Sequence, residues 1–165
     1  MIGMSQMTEE NKKFMQEAVS LSAEAIHQLD GGPFGCIIVK DGKVVGRGWN
    51  HVIATNDPTA HAEVMAIRDA CKNLATPELT SCEIYTSAEP CPMCMAAIYW
   101  ACISKVYYAN TIEETKAIGY EDCIVYEELK KPVNERKIEM IHIPDETAQE
   151  VFAFWKKKIH QNKSD

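Results

Sequence analysis

Two short motifs carry residue types that can bind a metal ion and use it in hydrolysis. The first is His61-Ala62-Glu63, and the second is Pro90-Cys91-Pro92-Met93-Cys94. When a CxxC motif opens a helix, both sulfurs face one point, and the exposed N–H groups and the helix dipole lower the thiol pKa values. Both cysteines can then be thiolates, which is the form that zinc binds. A histidine on a neighbouring helix would supply a third ligand, and His61 is the candidate.

The number of ligands separates a structural zinc site from a catalytic one. A structural site has four protein ligands, whereas a catalytic site keeps one position for water. His61, Cys91 and Cys94 give three ligands, and the sequence has no second CxxC and no HxxxH motif to supply a fourth. We therefore predict an open site, in which zinc lowers the pKa of water to about 7. Glu63 is the candidate for taking the proton of that water and delivering it to a leaving group.

Both motifs need the start of a helix to bring their side chains together. Residues two apart in a regular helix do not share a face, so His61 and Glu63 converge only in a first turn. Asp57 followed by Pro58 predicts such a start, with Asp57 as the N-cap. Pro92 predicts the start of a second helix, which is apolar all round and is therefore expected to be buried.

The rest of the chain predicts an α/β domain around these two helices. Apolar residues at helical spacing predict a helix over 8–29 with Thr8 as its cap, and a β-hairpin follows at 36–45. Further strands are expected at 83–86, 105–108 and 138–143, a short helix at 122–129, and a last helix that Asp145 caps. This order predicts one three-layer α/β/α domain with a mixed sheet, spanning residues 1–165.

Composition narrows the classes of function. The chain has 165 residues, of which 46% are hydrophobic and 25% are charged, as is typical of a globular domain. Acidic residues outnumber basic ones by 24 to 17, and the net charge of −7 disfavours binding to nucleic acid through its phosphates. No stretch is long and apolar enough to span a membrane, and the first residues lack the pattern of a signal peptide. With an odd count of seven cysteines, we expect reduced thiols and a cytoplasmic location.

Each motif taken alone permits a simpler explanation. A CxxC also fits a redox pair or a structural zinc site, and an isolated HxE motif is weaker still. The sequence lacks the thioredoxin-like first βαβ unit that a redox pair favours. Glu63 argues against a structural zinc site, because such a site needs no carboxylate beside it. A zinc-stabilised scaffold without turnover stays open as the non-enzyme alternative.

Taken together, H-A-E and a P-C-x-x-C some thirty residues later resemble the motifs of the cytidine-deaminase-like zinc hydrolases. The sequence is also similar to the bacterial guanine deaminases of that superfamily over the segments 31–35, 56–63, 89–94, 97–100 and 119–122. The resemblance extends from Gly31 to about Arg136. It implies a mixed five-stranded sheet with helices on both sides, one Zn²⁺ per subunit, and hydrolytic deamination of guanine to xanthine and ammonia.

The resemblance also implies roles for residues around the metal. Asn50 would hydrogen-bond the purine, Phe34 would stack on the ring or wall it, and Trp100 would close the pocket. The backbone N–H of Ala62 would be a further donor, and Asp122 would contact the purine edge and assist proton transfer. Four of these residues also have an ordinary structural explanation: Phe34 and Trp100 as core aromatics, Asn50 as a loop residue, and Asp122 as a helix cap.

The end of the chain leaves the substrate and the assembly open. The resemblance implies a homodimer in which the C-terminal helix, at about 145–160, is exchanged between subunits. Family members end in an aromatic residue that reaches the partner's site, but residues 159–165 contain no tyrosine. Guanosine, cytosine or another aminated heterocycle is therefore the alternative to guanine. A tRNA adenosine deaminase shares the zinc signature but is disfavoured by the net charge of −7. The expected partner is thus a small purine.

Overall fold

The structure is a computed structural model that describes residues 8–121 and 123–161. The chain divides into two compact units, one that extends to Glu127 and one that begins at Glu128. The helices of the first unit are α1 (Glu9–His27), α2 (Val52–Thr55), α3 (Ala62–Leu74), α4 (Pro92–Trp100) and α5 (Ile112–Ala117). Its strands are β1 (Gly35–Lys40), β2 (Lys43–Trp49), β3 (Cys82–Ala88) and β4 (Lys105–Asn110). The unit boundary falls within α6 (Cys123–Lys130), and α7 (Glu146–Gln161) belongs to the second unit.

The strands of the first unit form one mixed sheet. Their order is β2-β1-β3-β4, with β1 antiparallel to both of its neighbours and β3 parallel to β4. The predicted hairpin is present, and its turn residues Asp41 and Gly42 have φ values of 50° and 71°. Positive φ at both central positions is the geometry of a tight hairpin turn, which Asp-Gly favours.

Helices cover both faces of this sheet, so the predicted three-layer α/β/α architecture is confirmed. On one face, α3 and α4 pack over a cluster that includes Ile38 and Ile84. On the other face, α1 packs over Ile37 and Tyr85. Gly48 lets α3 lie close to β2, because a Cβ atom at this position would come within 2.4 Å of the Ala66 nitrogen. The close approach fixes the helix that carries Glu63.

The prediction of a fifth strand is wrong for the described residues. The sheet has four strands, and residues 138–143 have no regular secondary structure. Ile138 and Ile143 in this segment are each 80% exposed. The alternation of apolar residues predicted a strand, but a strand also needs hydrogen bonds to a neighbouring strand, and the pattern does not specify that neighbour.

Helix starts were predicted with mixed success. Thr8 caps α1 as expected, accepting a hydrogen bond from the Asn11 N–H at 3.1 Å. Asp145 is placed as predicted before α7 and accepts from the Ala148 N–H at 2.8 Å. The prediction that Asp57 caps the helix of the first motif is wrong. The Asp57 carboxylate accepts from the Thr59 N–H at 2.8 Å in the preceding loop, and α3 begins four residues later than Pro58.

The second unit contains helices and irregular backbone. A short 3-10 helix spans Val133–Glu135, and α7 follows after the irregular segment. The Glu128 carboxylate accepts from the Lys137 N–H at 2.8 Å, which holds the start of that segment near α6. Among the described residues, no helix of the chain is both long and apolar enough to cross a membrane.

Candidate active site and metal centre

Two extended N-cap residues bring the predicted motifs together. His61 is the N-cap of α3 with φ −70° and ψ 156°, and Cys91 is the N-cap of α4 with φ −65° and ψ 168°. Because His61 lies outside the regular helix, its side chain and that of Glu63 can face the same cavity although they are two residues apart. Pro92 occupies the first helical position of α4, where its missing N–H has no cost.

The three predicted metal ligands converge. His61 Nδ1 lies 3.6 Å from Cys91 Sγ and 3.5 Å from Cys94 Sγ, and all three ligand atoms lie within 4.8 Å of one another. In a tetrahedral zinc site with ordinary Zn–S and Zn–N bond lengths, a sulfur and a nitrogen ligand are about 3.6 Å apart. Two sulfurs and one imidazole nitrogen also match the ligand chemistry that zinc prefers. The residues therefore fit a zinc ion.

A hydrogen bond between the two thiols couples their pKa values. A hydrogen bond from Cys94 lowers the pKa of Cys91 to about 4, with a smaller contribution from His61. The same hydrogen bond, together with burial, raises the pKa of Cys94 far above its usual range. Zinc binds thiolates, so its binding releases the protons that these two thiols hold.

Glu63 lies in the first turn of α3 and lines the same cavity as His61 and Cys91. Its side chain is buried, and burial raises its pKa above the usual value for a glutamate. The carboxylate oxygen Oε1 accepts a hydrogen bond from the Thr86 hydroxyl at 3.2 Å. A buried carboxyl beside a metal site is suited to accept a proton and to return it.

Asn50 lines the cavity and is held by its own loop. It is buried, and its side-chain oxygen accepts from the Val52 N–H at 3.1 Å. The amide NH₂ is then the group left to donate to a ligand. Gly31 makes room for this amide, because a Cβ atom at Gly31 would lie 2.0 Å from Asn50 Oδ1.

Aromatic residues form a wall of the cavity. The rings of Phe34 and Tyr120 meet edge to face, with their centroids 4.9 Å apart at 84°. A Cβ atom at Gly32 would lie 2.4 Å from the Tyr120 hydroxyl, so this glycine leaves space for the ring pair. The described residues that line the cavity are Phe34, Asn50, His61, Glu63, Ala88, Glu89, Cys91, Thr115 and Tyr120.

Comparison with known proteins identifies the family. The family model described as the cytidine and deoxycytidylate deaminase zinc-binding region matches residues 8–110. The chain belongs to this deaminase family. It is 48% identical to guanine deaminase from Bacillus subtilis, over 78% of this chain and 82% of the relative. It is also 35% identical to the tRNA-specific adenosine deaminase of Aquifex aeolicus, over 92% of this chain and 97% of the relative.

Solved structures of guanine deaminases are similar to this deaminase in fold. The X-ray structure of the Bacillus subtilis enzyme has a TM-score of 0.85 at 44% identity, covering 88% of this chain and 93% of that one. A structure of guanine deaminase from Nitrosomonas europaea has a TM-score of 0.64 at 30% identity, covering 70% of this chain and 65% of that one. The resemblance inferred from the two motifs is therefore confirmed.

Not every predicted site residue of the deaminase lies at the cavity. Ala62 is fully buried between His61 and Glu63, as its place in the motif requires. Trp100 ends α4 with 86% of its surface exposed, and it is not among the described residues that line the cavity. Asp122 lies outside the described residues.

Several residues that line the cavity or contact Glu63 were not predicted from the sequence. Tyr120 lies in the segment 119–122 and Glu89 directly precedes the cysteine motif, so their position could have indicated them. Thr115 lies in α5, a helix that was not predicted. Thr86 lies in a predicted strand, where a threonine is ordinary and gives no signal.

Proposed function

We propose that this deaminase converts guanine to xanthine and ammonia by hydrolysis. The observation that carries the proposal is a buried carboxylate, Glu63, in one cavity with the ligand set His61, Cys91 and Cys94. The choice of guanine is supported by the 48% identity to the Bacillus subtilis guanine deaminase. The TM-score of 0.85 to its structure, against 0.62 to a tRNA:A34 deaminase, supports the same choice.

The chain's own residues suit the proton transfers of such a reaction. Zinc, when bound, supplies Lewis-acid activation of water at neutral pH. Glu63 accepts a proton from the attacking water while a C–O bond forms at the ring carbon that bears the amino group. It then delivers the proton to the amino nitrogen, the C–N bond breaks, and ammonia leaves. Burial in the cavity keeps bulk water from competing for that proton.

The orientation of Asn50 supports a guanine-like substrate. Its NH₂ group is the free donor, because Oδ1 is engaged by the Val52 N–H. Guanine offers a carbonyl acceptor at position 6, whereas adenine has an amino donor there. Within the proposal, Asn50 donates to the purine, Phe34 walls the ring together with Tyr120, and the Ala62 N–H is a further donor. Asp122 is proposed to contact the purine edge and assist proton transfer.

The proposal includes a homodimer that exchanges the helix at about 145–160. Apolar side chains of α7 support it, since Phe152 is 80% exposed and Trp155 is 63% exposed. Exposed apolar patches of this kind mark protein–protein contacts. A cytoplasmic location is also proposed, because zinc ligation through Cys91 and Cys94 requires reduced thiols.

Ammonia release by the zinc-loaded protein given guanine tests the proposal, with Glu63→Ala as the matched blank. We expect release from the parent protein and none from the variant, with one zinc per chain in both. If ammonia is released only from guanosine or only from cytosine, that compound is the substrate instead of guanine. If no member of this panel reacts while zinc content and melting temperature are equal in both proteins, the scaffold hypothesis replaces the proposal.

A tRNA adenosine deaminase is the second candidate. It is supported by the 35% identity to the Aquifex aeolicus enzyme over 97% of that relative. The net charge of −7 opposes it, because tRNA binding through phosphates needs a basic surface. Salt-dependent binding of tRNA, together with inosine formation at an adenosine, would establish this alternative instead.

A further inference from the structure

Thr86 touches the carboxylate that the proposed reaction uses. Its hydroxyl donates to Glu63 Oε1 at 3.2 Å. Thr86 is 1% exposed and Glu63 is 6% exposed, so water cannot readily replace the threonine in this contact. Thr86 lies opposite Cys36 in the register of β3 with β1, at the centre of the sheet rather than in a loop.

The donor of this hydrogen bond is rigid. A threonine hydroxyl has one proton to give, and the structure directs it to Glu63. Threonine is branched at Cβ, which restricts χ1, and β3 is paired on both sides by β1 and β4. Glutamate, in contrast, has three rotatable bonds. Its carboxyl is also hydrogen-bonded by its own backbone N–H in α3 and by Cys94 in α4, so Thr86 is the contact that joins it to the sheet.

We infer that Thr86 is a positioning residue that assigns different tasks to the two oxygens of Glu63. Oε1 is anchored to β3 by the Thr86 hydroxyl, and Oε2 is the oxygen that takes the proton from water and passes it to the amino nitrogen. The inference rests on the proposed function, since it concerns the same carboxylate. It adds a link from the interior of the sheet to the first turn of α3.

The strand β3 leads from Thr86 directly to residues that line the cavity. Three residues later Glu89 lines the cavity, and Cys91 follows two residues after that. The strand therefore orients the acid–base group and delivers a metal ligand through one short, buried connection. A small displacement of a catalytic group costs up to about a hundredfold in rate, which is why such an anchor matters.

The neighbouring residue Ser87 provides a matched control. It is also a buried hydroxyl on β3, but its Oγ accepts from the Gly35 N–H at 3.0 Å. Successive residues of a strand face opposite sides of the sheet, so Ser87 faces away from Glu63. Ser87→Ala removes a buried hydroxyl from the same strand without changing the contact to Glu63.

The test compares Thr86→Val, Thr86→Ser and Ser87→Ala in the zinc-loaded protein. We expect Thr86→Val to lower kcat for guanine by about tenfold to a hundredfold with KM within about twofold, since the acid–base group and not substrate binding is affected. Thr86→Ser keeps the hydroxyl and is expected to recover kcat to within about threefold of the parent protein, as is Ser87→Ala. Each variant should hold one zinc per chain. A parent-like kcat in Thr86→Val, or an equal loss in Ser87→Ala, would overturn the inference.

A second measurement does not depend on turnover. A double-mutant cycle of Thr86→Val and Glu63→Ala, followed by thermal unfolding of the zinc-loaded protein, measures the coupling between the two side chains. We expect the effects to be non-additive, because each variant removes the same hydrogen bond. Additive effects would show that the two side chains do not interact, and the inference would then be wrong. If coupling is observed but the parent protein releases no ammonia from any substrate, the proposed function is wrong. The contact between Thr86 and Glu63 is then only structural, and the positioning inference is wrong as well.

Discussion

The two units of the chain differ in where their apolar side chains lie. In the first unit, Ile37, Ile38 and Ile84 of the sheet are fully buried. In the second unit, Phe152 and Ile138 are both 80% exposed. Both units have amphipathic sequence patterns, so the pattern alone does not distinguish them. A sequence pattern therefore specifies which face of an element must be buried, whereas the residues that bury it depend on the rest of the assembly.

The catalytic geometry belongs to the first unit. The metal ligands His61 and Cys91 and the buried Glu63 lie at the starts of α3 and α4, which pack on the four-stranded sheet. Asn50 directly follows β2 of that sheet. Each of these side chains is fixed by contacts within that unit, such as the Val52 N–H that holds Asn50. Changes in this unit should therefore affect the chemistry most strongly, and changes in the second unit should affect mainly the assembly.

The largest effect is expected from Cys91→Ser. Loss of a thiolate ligand should abolish zinc binding and reduce deamination by far more than the roughly 10–100-fold that loss of an outer-shell partner costs. Metal analysis by mass spectrometry and an ammonia assay check this result. Cys102→Ser is the matched control, because Cys102 is an exposed free cysteine, and it should leave both quantities unchanged. Stoichiometric zinc in Cys91→Ser would show that the ligand set is wrong.

Asn50→Asp should have the next largest effect. The substitution replaces the donating NH₂ with an oxygen that repels a carbonyl acceptor, so kcat/KM for guanine should fall by about 10²–10³-fold. Zinc content should stay at one per chain. Asn73→Asp makes the same change of charge on an exposed residue that bonds the Val45 carbonyl, and we expect nearly parent-like activity there. Equal activity of the two variants would remove Asn50 from substrate recognition.

The metal site could be predicted from sequence because its geometry is local. The prolines beside Cys91 and the spacing of the cysteines specify the first turn of α4, and the fold needs to add only His61. The prediction for the start of α3 went wrong for a local reason as well. Asp57 can cap a helix or close a turn on Thr59, and the sequence does not decide between the two.

The cavity wall could not be predicted in the same way. Tyr120 meets Phe34 although 86 residues separate them in the chain (120 − 34). Thr86 reaches Glu63 from a strand in which threonine is common. Such contacts depend on how the sheet and the loops pack, and neither spacing nor residue type indicates them. The prediction of a fifth strand was wrong for the same reason, because the pairing of a strand with its neighbour depends on residues far away in the sequence.

Gly31→Ala should give a smaller effect in the same unit. The added methyl carbon would lie 2.0 Å from Asn50 Oδ1, so either the Asn50 side-chain amide or the backbone at Gly31 must move. We expect kcat/KM to fall about tenfold and the free energy of unfolding to fall by about 1–3 kcal/mol, as for overpacking elsewhere. Steady-state kinetics and urea unfolding measure the two effects. If unfolding changes and kinetics do not, Asn50 tolerates the displacement and its orientation is not critical.

The smallest effect on turnover is expected from the second unit. Phe152→Ser combined with Trp155→Ser removes two exposed apolar side chains of α7, which are 80% and 63% exposed. If α7 is an interface between copies of the chain, the mass in solution should fall from that of a dimer to that of a monomer. Light scattering after size exclusion measures it. Deamination should fall by only a few-fold, because the residues that perform the proposed chemistry belong to the first unit.

A paired substitution on the polar side of α7 separates the interface from the helix itself. Lys156→Ser with Lys157→Ser changes the same helix over the same length but keeps its apolar side chains, so it should leave the dimer intact. Monomers in both double variants would attribute the result to loss of helix stability. A dimer in both would show that α7 is not the interface. A loss of deamination as large as that of Cys91→Ser would contradict the expectation that only the first unit performs the chemistry, because residues of the second unit would then be needed for turnover.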